Sequence, residues 1–204
     1  MPSKISFDDS ITQAVSLLKK GGVIVYPTET VYGIGCDPFN REACERIQVV
    51  KGRKEMKPML LLACSRKQVE TIIGSLSPIA SSLADRFWPG PLTLILKPSK
   101  MLPPHLVGLT GGIGFRVSAN TLSSELARKL GKPIVSTSAN KAGLQPVVTY
   151  EEACAVFGDI VDLVLPLAGY LSGVPSTIVD VTCKQPVVLR EGGISSEQLS
   201  EVFG

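Results

Sequence analysis

VIVYPTETVYGIG, residues 23–35, is the stretch of sequence that decides the fold. Its first four residues form an apolar run of β-branched and aromatic side chains, which predicts a buried strand. Residues 27–35 follow directly and offer hydroxyls, one carboxylate and two glycines. A polar segment at the end of a buried strand is where an open α/β sheet binds ligands, although an ordinary strand-to-loop turn has the same composition.

Helical and strand patterns alternate on both sides of this stretch. Helical spacing or N-cap signals predict helices at 11–18, after Asn40, after Ser65, at 80–87, at 122–130, after Thr149 and from about 196. Apolar runs predict further strands at 59–63, 92–97, 114–117, 133–137, 161–166, 176–182 and 186–190. The alternation indicates a single α/β domain over residues 1–204, with a twisted sheet and flanking helices. The close spacing after residue 160 predicts antiparallel pairs there and therefore a mixed sheet.

Composition excludes several classes of protein. The 204 residues are 44% hydrophobic and 19% charged with a net charge of +3, which is typical of a globular protein and unlike a polycationic arm. The N-terminal MPSKISFDDS has no apolar signal core, and the apolar runs are far shorter than the ~20 residues of a membrane span. We therefore expect a cytoplasmic protein with no membrane contact. Five cysteines without a CxxC pair, and a single histidine, predict no zinc site.

A basic segment and a hydroxyl-rich segment carry the most chemistry. Residues 51–57, KGRKEMK, hold four cations that can neutralise a triphosphate, unless they form a solvated basic loop. Residues 136–143, STSANKAG, follow an apolar strand and can present donors to phosphate or ribose, unless they form a plain turn. Arg116, Ser176 and Arg190 are further candidates, although an arginine in a buried strand could equally pair with a structural carboxylate.

Familiar nucleotide and hydrolase motifs are absent from the sequence. It contains no GxxxxGK[ST] phosphate loop, no complete GxGxxG and no GxSxG. Composition and spacing alone therefore indicate an α/β domain with a cationic, hydroxyl-rich cleft for an anion.

The motifs taken together resemble the YrdC-like threonylcarbamoyl-adenylate synthase family in its short, single-domain form. Those that carry the resemblance are YPTETVYGIG, KGR with Lys57-Pro58, FWPGPLTLIL, STSAN, PSTIVD and LREGG, in that order over residues 8–194. The resemblance implies a concave, basic cleft in the α/β domain that holds ATP and threonine. It implies no catalytic side chain and no protein metal site.

The resemblance also implies a role for individual residues. Those implied to bind ATP are Lys51, Arg53, Lys57, Ser138, Asn140 and Arg190. Those implied to bind threonine are Thr30, Arg116, Ser136 and Ser176, with Arg116 suited to the carboxylate.

The implied activity is that of a nucleotidyltransferase. Threonine, bicarbonate and ATP give L-threonylcarbamoyl-adenylate and pyrophosphate, for the threonylcarbamoyl modification of adenosine 37 in tRNA. We expect Mg²⁺ to accompany ATP and to be bound mainly through phosphate and water. The expected downstream partners are tRNA threonylcarbamoyl transferase proteins. The alternative is an RNA-binding protein of the same fold, without synthase activity, that holds double-stranded or structured RNA.

Overall fold

The computed structural model describes residues 6–53, 59–108, 111–166 and 171–203. Its helices are α1 (Phe7–Lys19), α2 (Arg41–Val50), α3 (Arg66–Ile73), α4 (Pro78–Phe87), α5 (Thr121–Leu130), α6 (Tyr150–Phe157) and α7 (Ser196–Phe203), with a 3₁₀ turn at Pro104–Leu106. Its strands are β1 (Ile24–Pro27), β2 (Tyr32–Gly35), β3 (Leu60–Ala63), β4 (Leu92–Leu96), β5 (Ile113–Val117), β6 (Ile134–Ser138), β7 (Leu163–Val164), β8 (Thr177–Asp180) and β9 (Val187–Arg190). Strand β2 falls within residues 27–35, where no strand was predicted.

The predicted helix starts are confirmed at their caps. The Asn40 side chain accepts a hydrogen bond from Ala43 N at 2.9 Å, and the hydroxyls of Ser65 and Thr149 accept equivalent bonds at the starts of α3 and α6. Each of these bonds satisfies one of the backbone N–H groups that a helix start leaves without an intrahelical partner. In α3 the Gln68 side chain reaches back to Cys64 N, one residue before the cap.

The described strands form one mixed sheet in the order β7-β1-β2-β6-β3-β5-β4-β8-β9. This confirms the predicted α/β architecture with a mixed sheet and flanking helices. The prediction of antiparallel pairs after residue 160 is right for β8 and β9 only. It is wrong for β7 and β8 in their other pairings, because β7 lies parallel to β1 and β8 lies parallel to β4. Close spacing along the chain did not make these strands neighbours of the strands that precede them.

The two faces of the sheet are covered unequally. Successive side chains of a strand point to opposite faces, and on β4 and β5 the residues Leu94 and Phe115 enter the larger hydrophobic cluster, which also holds residues of α2, α3, α4, α6 and α7. A smaller cluster on the other face packs α1 and α5 against Ile24, Tyr26, Leu62 and Ile134. These two helices reach only part of that face, so its remainder is left for polar residues.

Among the described residues, no helix is both long enough and apolar enough to cross a membrane.

The helix-covered face should dominate the stability of the fold. Phe115 is fully buried in the larger cluster, and we expect Phe115→Ala to lower the free energy of unfolding by about 3–5 kcal/mol, through lost burial and the cavity that remains. Leu189→Ala is the matched control, because Leu189 is 56% exposed on β9 and should change stability by less than about 0.5 kcal/mol. Urea denaturation measures both, and equal losses would contradict this assignment of faces.

Candidate functional site

A cleft of about 340 Å³ lies on the face that α1 and α5 leave uncovered. We call it the open-face cleft. Its walls come from the turn between β1 and β2, from the segment after α2, and from strands β3, β4, β5, β6, β8 and β9. Residues predicted to bind ligands that line it are Thr30, Arg53, Arg116, Ser136, Ser138, Ser176 and Arg190. Side chains from distant parts of the sequence thus converge because neighbouring strands present alternate residues to one face.

The turn between β1 and β2 supplies two buried hydroxyls. Thr28 Oγ1 donates to Val31 O at 2.7 Å and lies 2.9 Å from Thr30 Oγ1. Because the Thr28 proton is already used on Val31, Thr30 is the donor to Thr28. The remaining acceptor capacity of the Thr30 hydroxyl is directed at Arg116, whose Nη1 and Nη2 atoms both lie 3.1 Å away.

Arg116 is held by a carboxylate as well as by this hydroxyl. Its Nη2 atom lies 2.5 Å from Glu29 Oε1, and its side chain is only 6% exposed. Glu29 Oε2 accepts a further hydrogen bond from Ser118, whose own oxygen accepts one from Ser123. Burial raises the pKa of Glu29, but Arg116 and the bond from Ser118 outweigh burial and hold the pKa below its usual value. The pair is therefore ionised at neutral pH.

Arg190 and Ser176 form the opposite wall of the cleft. Arg190 donates to Ser176 O from Nε at 3.1 Å and from Nη2 at 2.8 Å. Ser176 Oγ lies 2.9 Å from Thr93 Oγ1, a buried hydroxyl of β4. Burial, and then the charge of Arg116, lower the pKa of Arg190. Two arginines that repel each other across a cleft create a potential that an anion would relieve.

Arg53 and Ser138 lie on the wall formed by α2 and β6. Arg53 lies just after the end of α2, where its Nη1 atom donates to Gln48 Oε1 at 3.4 Å, and burial lowers its pKa. The Ser138 hydroxyl donates to Asn140 Oδ1 at 2.6 Å. Lys51 and Asn140 do not line the cleft, and their side chains bond to each other behind this wall. Lys57 lies outside the described residues.

Sequence reasoning missed three side chains of this site. Glu29 is the only carboxylate in residues 23–35, and it could have been paired with Arg116 from the rule that a buried arginine needs an anionic partner. Thr28 and Thr93 line the cleft and bond to Thr30 and Ser176 respectively. Thr28 lies in the polar segment 27–35 but was not distinguished there from its neighbours. Thr93 gave no local signal, since a buried threonine is common in strands.

The described residues contain no group of three or more His, Cys, Asp or Glu side chains that could hold a metal ion. The five cysteines are free. Glu29 pairs with Arg116 of the cleft, and both of its carboxylate oxygens already have protein partners.

The arrangement favours an anionic ligand together with a small polar one. The described lining residues include three arginines and no carboxylate. Arg116 is partly neutralised by Glu29, whereas Arg53 and Arg190 bond to neutral oxygen atoms. Hydroxyl groups lie among these cations, and hydroxyls both donate and accept. Such a site can bind phosphates on one side and a hydroxylated zwitterion on the other.

Comparisons with known proteins identify the family and show that relatives share this fold. Residues 16–192 match the model of the Sua5/YciO/YrdC family, which carries the description "Telomere recombination". A threonylcarbamoyl-AMP synthase of Thiobacillus denitrificans is 41% identical over 164 residues, which cover 80% of this chain and 87% of that protein.

Two solved structures share the fold. The crystal structure of Pyrococcus abyssi Sua5 complexed with L-threonine matches with a TM-score of 0.91 and 31% identity, over 99% of this chain and 59% of that one. This chain thus spans little more than half the length of the Pyrococcus protein. The structure of Escherichia coli YciO matches with a TM-score of 0.84 and 34% identity, over 93% of this chain and 92% of that one. The chain belongs to the Sua5/YciO/YrdC family.

Proposed function

We propose that this chain is a threonylcarbamoyl-AMP synthase and that residues 1–204 form its catalytic domain. As a nucleotidyltransferase, it joins L-threonine, bicarbonate and ATP and releases pyrophosphate, for the threonylcarbamoyl modification of adenosine 37 in tRNA. The observation that carries the proposal is the convergence of Arg53, Arg116 and Arg190 with serine and threonine hydroxyls in the open-face cleft. The names of the relatives support it and favour an enzyme over an RNA-binding module.

Threonine binds in the part of the cleft formed by β4, β5, β6, the start of β8 and the turn after β1. Its carboxylate pairs with Arg116, which Glu29 and Thr30 hold in a fixed orientation. Its hydroxyl bonds within the set formed by Thr30, Ser136 and Ser176. A fixed guanidinium costs little reorganisation when it meets a carboxylate, so it positions the amine as well.

ATP binds toward Arg53, Ser138 and Arg190, with Lys57 as a further phosphate ligand. It enters as its Mg²⁺ complex, since Mg²⁺ keeps phosphate and water ligands and needs no cage of protein carboxylates. Arg53 and Arg190 would stabilise the phosphate oxygens that gain charge during phosphoryl chemistry.

The reaction takes two steps. The deprotonated amine of threonine attacks CO₂ supplied by bicarbonate, so that a nitrogen–carbon bond forms and a proton leaves the nitrogen. A carbamate oxygen then attacks the α-phosphorus, the bond from phosphorus to the bridging oxygen breaks, and pyrophosphate leaves. Both reactants are anions, and the cations of the cleft bring them together. The cytoplasmic location, the tRNA threonylcarbamoyl transferase partners and any contact with RNA stay predictions.

Arg53 should matter for activity and little for folding. We expect Arg53→Ala to reduce pyrophosphate release by about 100-fold or more, because a phosphate contact that strengthens in the transition state is lost. Its melting temperature should stay close to that of the wild type. Arg41→Ala is the control, since Arg41 lies on an exposed part of α2, the helix that precedes Arg53, and pairs with Glu45 at the surface. Equal activity of the two variants would exclude Arg53 from the site.

The hydroxyls of the threonine site should select against valine. Serine lacks one methyl group, a difference of about 1 kcal/mol, so it should react roughly tenfold more slowly than threonine. Valine has a methyl group in place of the threonine hydroxyl and would leave buried polar groups of the pocket unpaired. It should therefore react more slowly than serine. Pyrophosphate release with ATP, bicarbonate and each amino acid measures this order. Valine turnover at the level of serine would rule out hydroxyl recognition by Thr30 and Ser176.

The ion pair of Arg116 should give stability a specific pH dependence. The lowered pKa of Glu29 means that its contribution is present above about pH 4.5 and is lost as the pH falls through the lower folded-state pKa. Glu29→Gln should cost about 3–5 kcal/mol at pH 7, because Arg116 is left without its anion. The difference in stability between wild type and variant should shrink as the pH falls below about 4.5.

Urea denaturation between pH 7 and pH 3 follows this difference. Glu45→Gln is the control, because its exposed pair with Arg41 should be worth only about 0.3–0.5 kcal/mol. A difference between wild type and Glu29→Gln that stays constant over the whole pH range would show that the charge of Glu29 is not responsible.

A further inference from the structure

A fully buried lysine lies behind the nucleotide side of the cleft. Lys51, at the end of α2, is 0% exposed. Its Nζ atom donates to Asn140 Oδ1 at 2.9 Å, to Asn140 O at 3.1 Å and to Ser138 O. A protonated lysine has three N–H donors, and each of them has an acceptor here. Since all three partners are acceptors, they require the protonated amine, although burial and then Arg53 lower the pKa of Lys51 to about 7.

The side chain of Asn140 is saturated in the same way. Its Oδ1 atom accepts from Lys51 and from Ser138 Oγ. Its Nδ2 atom donates to Lys141 O at 2.9 Å and to Leu144 O at 3.0 Å. A primary amide has two acceptor sites and two donors. Asn140 therefore has no hydrogen-bonding capacity left for a nucleotide unless one of these bonds breaks.

Further bonds join the same two segments. Ala142 N donates to Lys51 O at 2.8 Å, and Lys141 Nζ donates to Val50 O at 2.8 Å. The last carbonyls of a helix lack intrahelical partners and carry partial negative charge. The end of α2 thus binds residues 138–144 through its own unpaired carbonyls as well as through Lys51. Two segments about 90 residues apart are in this way fastened together.

The bonds between the end of α2 and residues 138–144 determine the positions of side chains that line the cleft. Ser138 lies at one end of the fastened segment and Pro146 lies just beyond it, and both line the open-face cleft. Arg53 follows Lys51 by two residues and lines the same wall. Its backbone N–H is tied to Gln48 O at 3.0 Å. A displacement of residues 138–144 from α2 would therefore move Ser138 relative to Arg53.

We propose that Lys51 and Asn140 are positioning residues, which hold residues 138–144 against the end of α2 and do not contact a ligand themselves. That the held segment serves ATP binding rests on the proposed function. The hydrogen bonds that hold it do not depend on that function. Lys51 acts on substrate only through Ser138, and a lysine is required because three carbonyl oxygens converge on one point. An apolar side chain there would remove one buried donor from each of these three oxygens.

Hydrogen exchange measured by mass spectrometry tests the fastening without any substrate. We expect Lys51→Met and Asn140→Ala each to raise exchange in residues 138–147 by about tenfold or more, the change expected from losing a charge-assisted hydrogen bond. Exchange in β4 and β5 should stay as in the wild type. Arg53→Ala is the matched control, because it removes a cation of the cleft wall and should leave exchange of residues 138–147 unchanged.

Kinetics with a double mutant then separates positioning from direct contact. If both residues act through one segment, Lys51→Met/Asn140→Ala should raise the KM for ATP no more than the worse single variant, with the KM for threonine within about twofold of wild type. Additive effects, or weaker ATP binding by Lys51→Met with unchanged exchange, would overturn the proposal in favour of a direct phosphate contact. If Lys51→Met does not fold, hydrogen exchange of residues 138–147 in Asn140→Ala alone tests the proposal. If the wild type releases no pyrophosphate, the proposed function is refuted. The exchange results would still decide whether Lys51 and Asn140 hold residues 138–144.

Discussion

The unequal covering of the two faces of the sheet is the constraint on which the rest of the structure depends. Each central strand must satisfy both faces at once, because its side chains alternate. On β5, Phe115 lies in the larger hydrophobic cluster and its neighbour Arg116 lies in the cleft. On β6, Val135 lies in the same cluster and Ser136 in the cleft. The residues that build the core thereby fix the positions of the residues that build the site.

Electrostatics follows from this arrangement. A cation in a strand whose other face is fully packed has little freedom to reach solvent, so it must find partners inside the protein. Arg116 finds Glu29 and Thr30 in this way. Arg190, at the exposed end of β9, instead lies at the edge of the sheet and donates to the carbonyl of Ser176. These partners fix the guanidinium groups before any ligand arrives. A site of this kind stabilises added negative charge by its fixed groups, which is the form of catalysis that phosphoryl and adenylyl transfer require.

Local signals were enough for much of the fold and for part of the site. Helix starts at Asn40, Ser65 and Thr149 are encoded by side chains that cap their own helices. Pairing between strands is not local, and for that reason the parallel partners of β7 and β8 were missed. Strand β2 was missed because Gly33 and Gly35 lower its strand propensity. Gly35 is required by packing, since a Cβ there would lie 2.5 Å from Val135 O and 2.8 Å from Tyr26 Cε1.

The site shows the same division between local and non-local information. Motifs in the sequence made Arg53, Arg116 and Ser176 candidates, and these three residues line the cleft. Only the folded chain reveals that Lys51 contacts Asn140. The most direct test of the central claim is a crystal structure with L-threonine and a non-hydrolysable ATP analogue. We expect both ligands in the open-face cleft, with the carboxylate at Arg116 and phosphates near Arg53 and Ser138. Ligands bound elsewhere, for instance in the groove lined by residues 73–79 and 181–184, would contradict it.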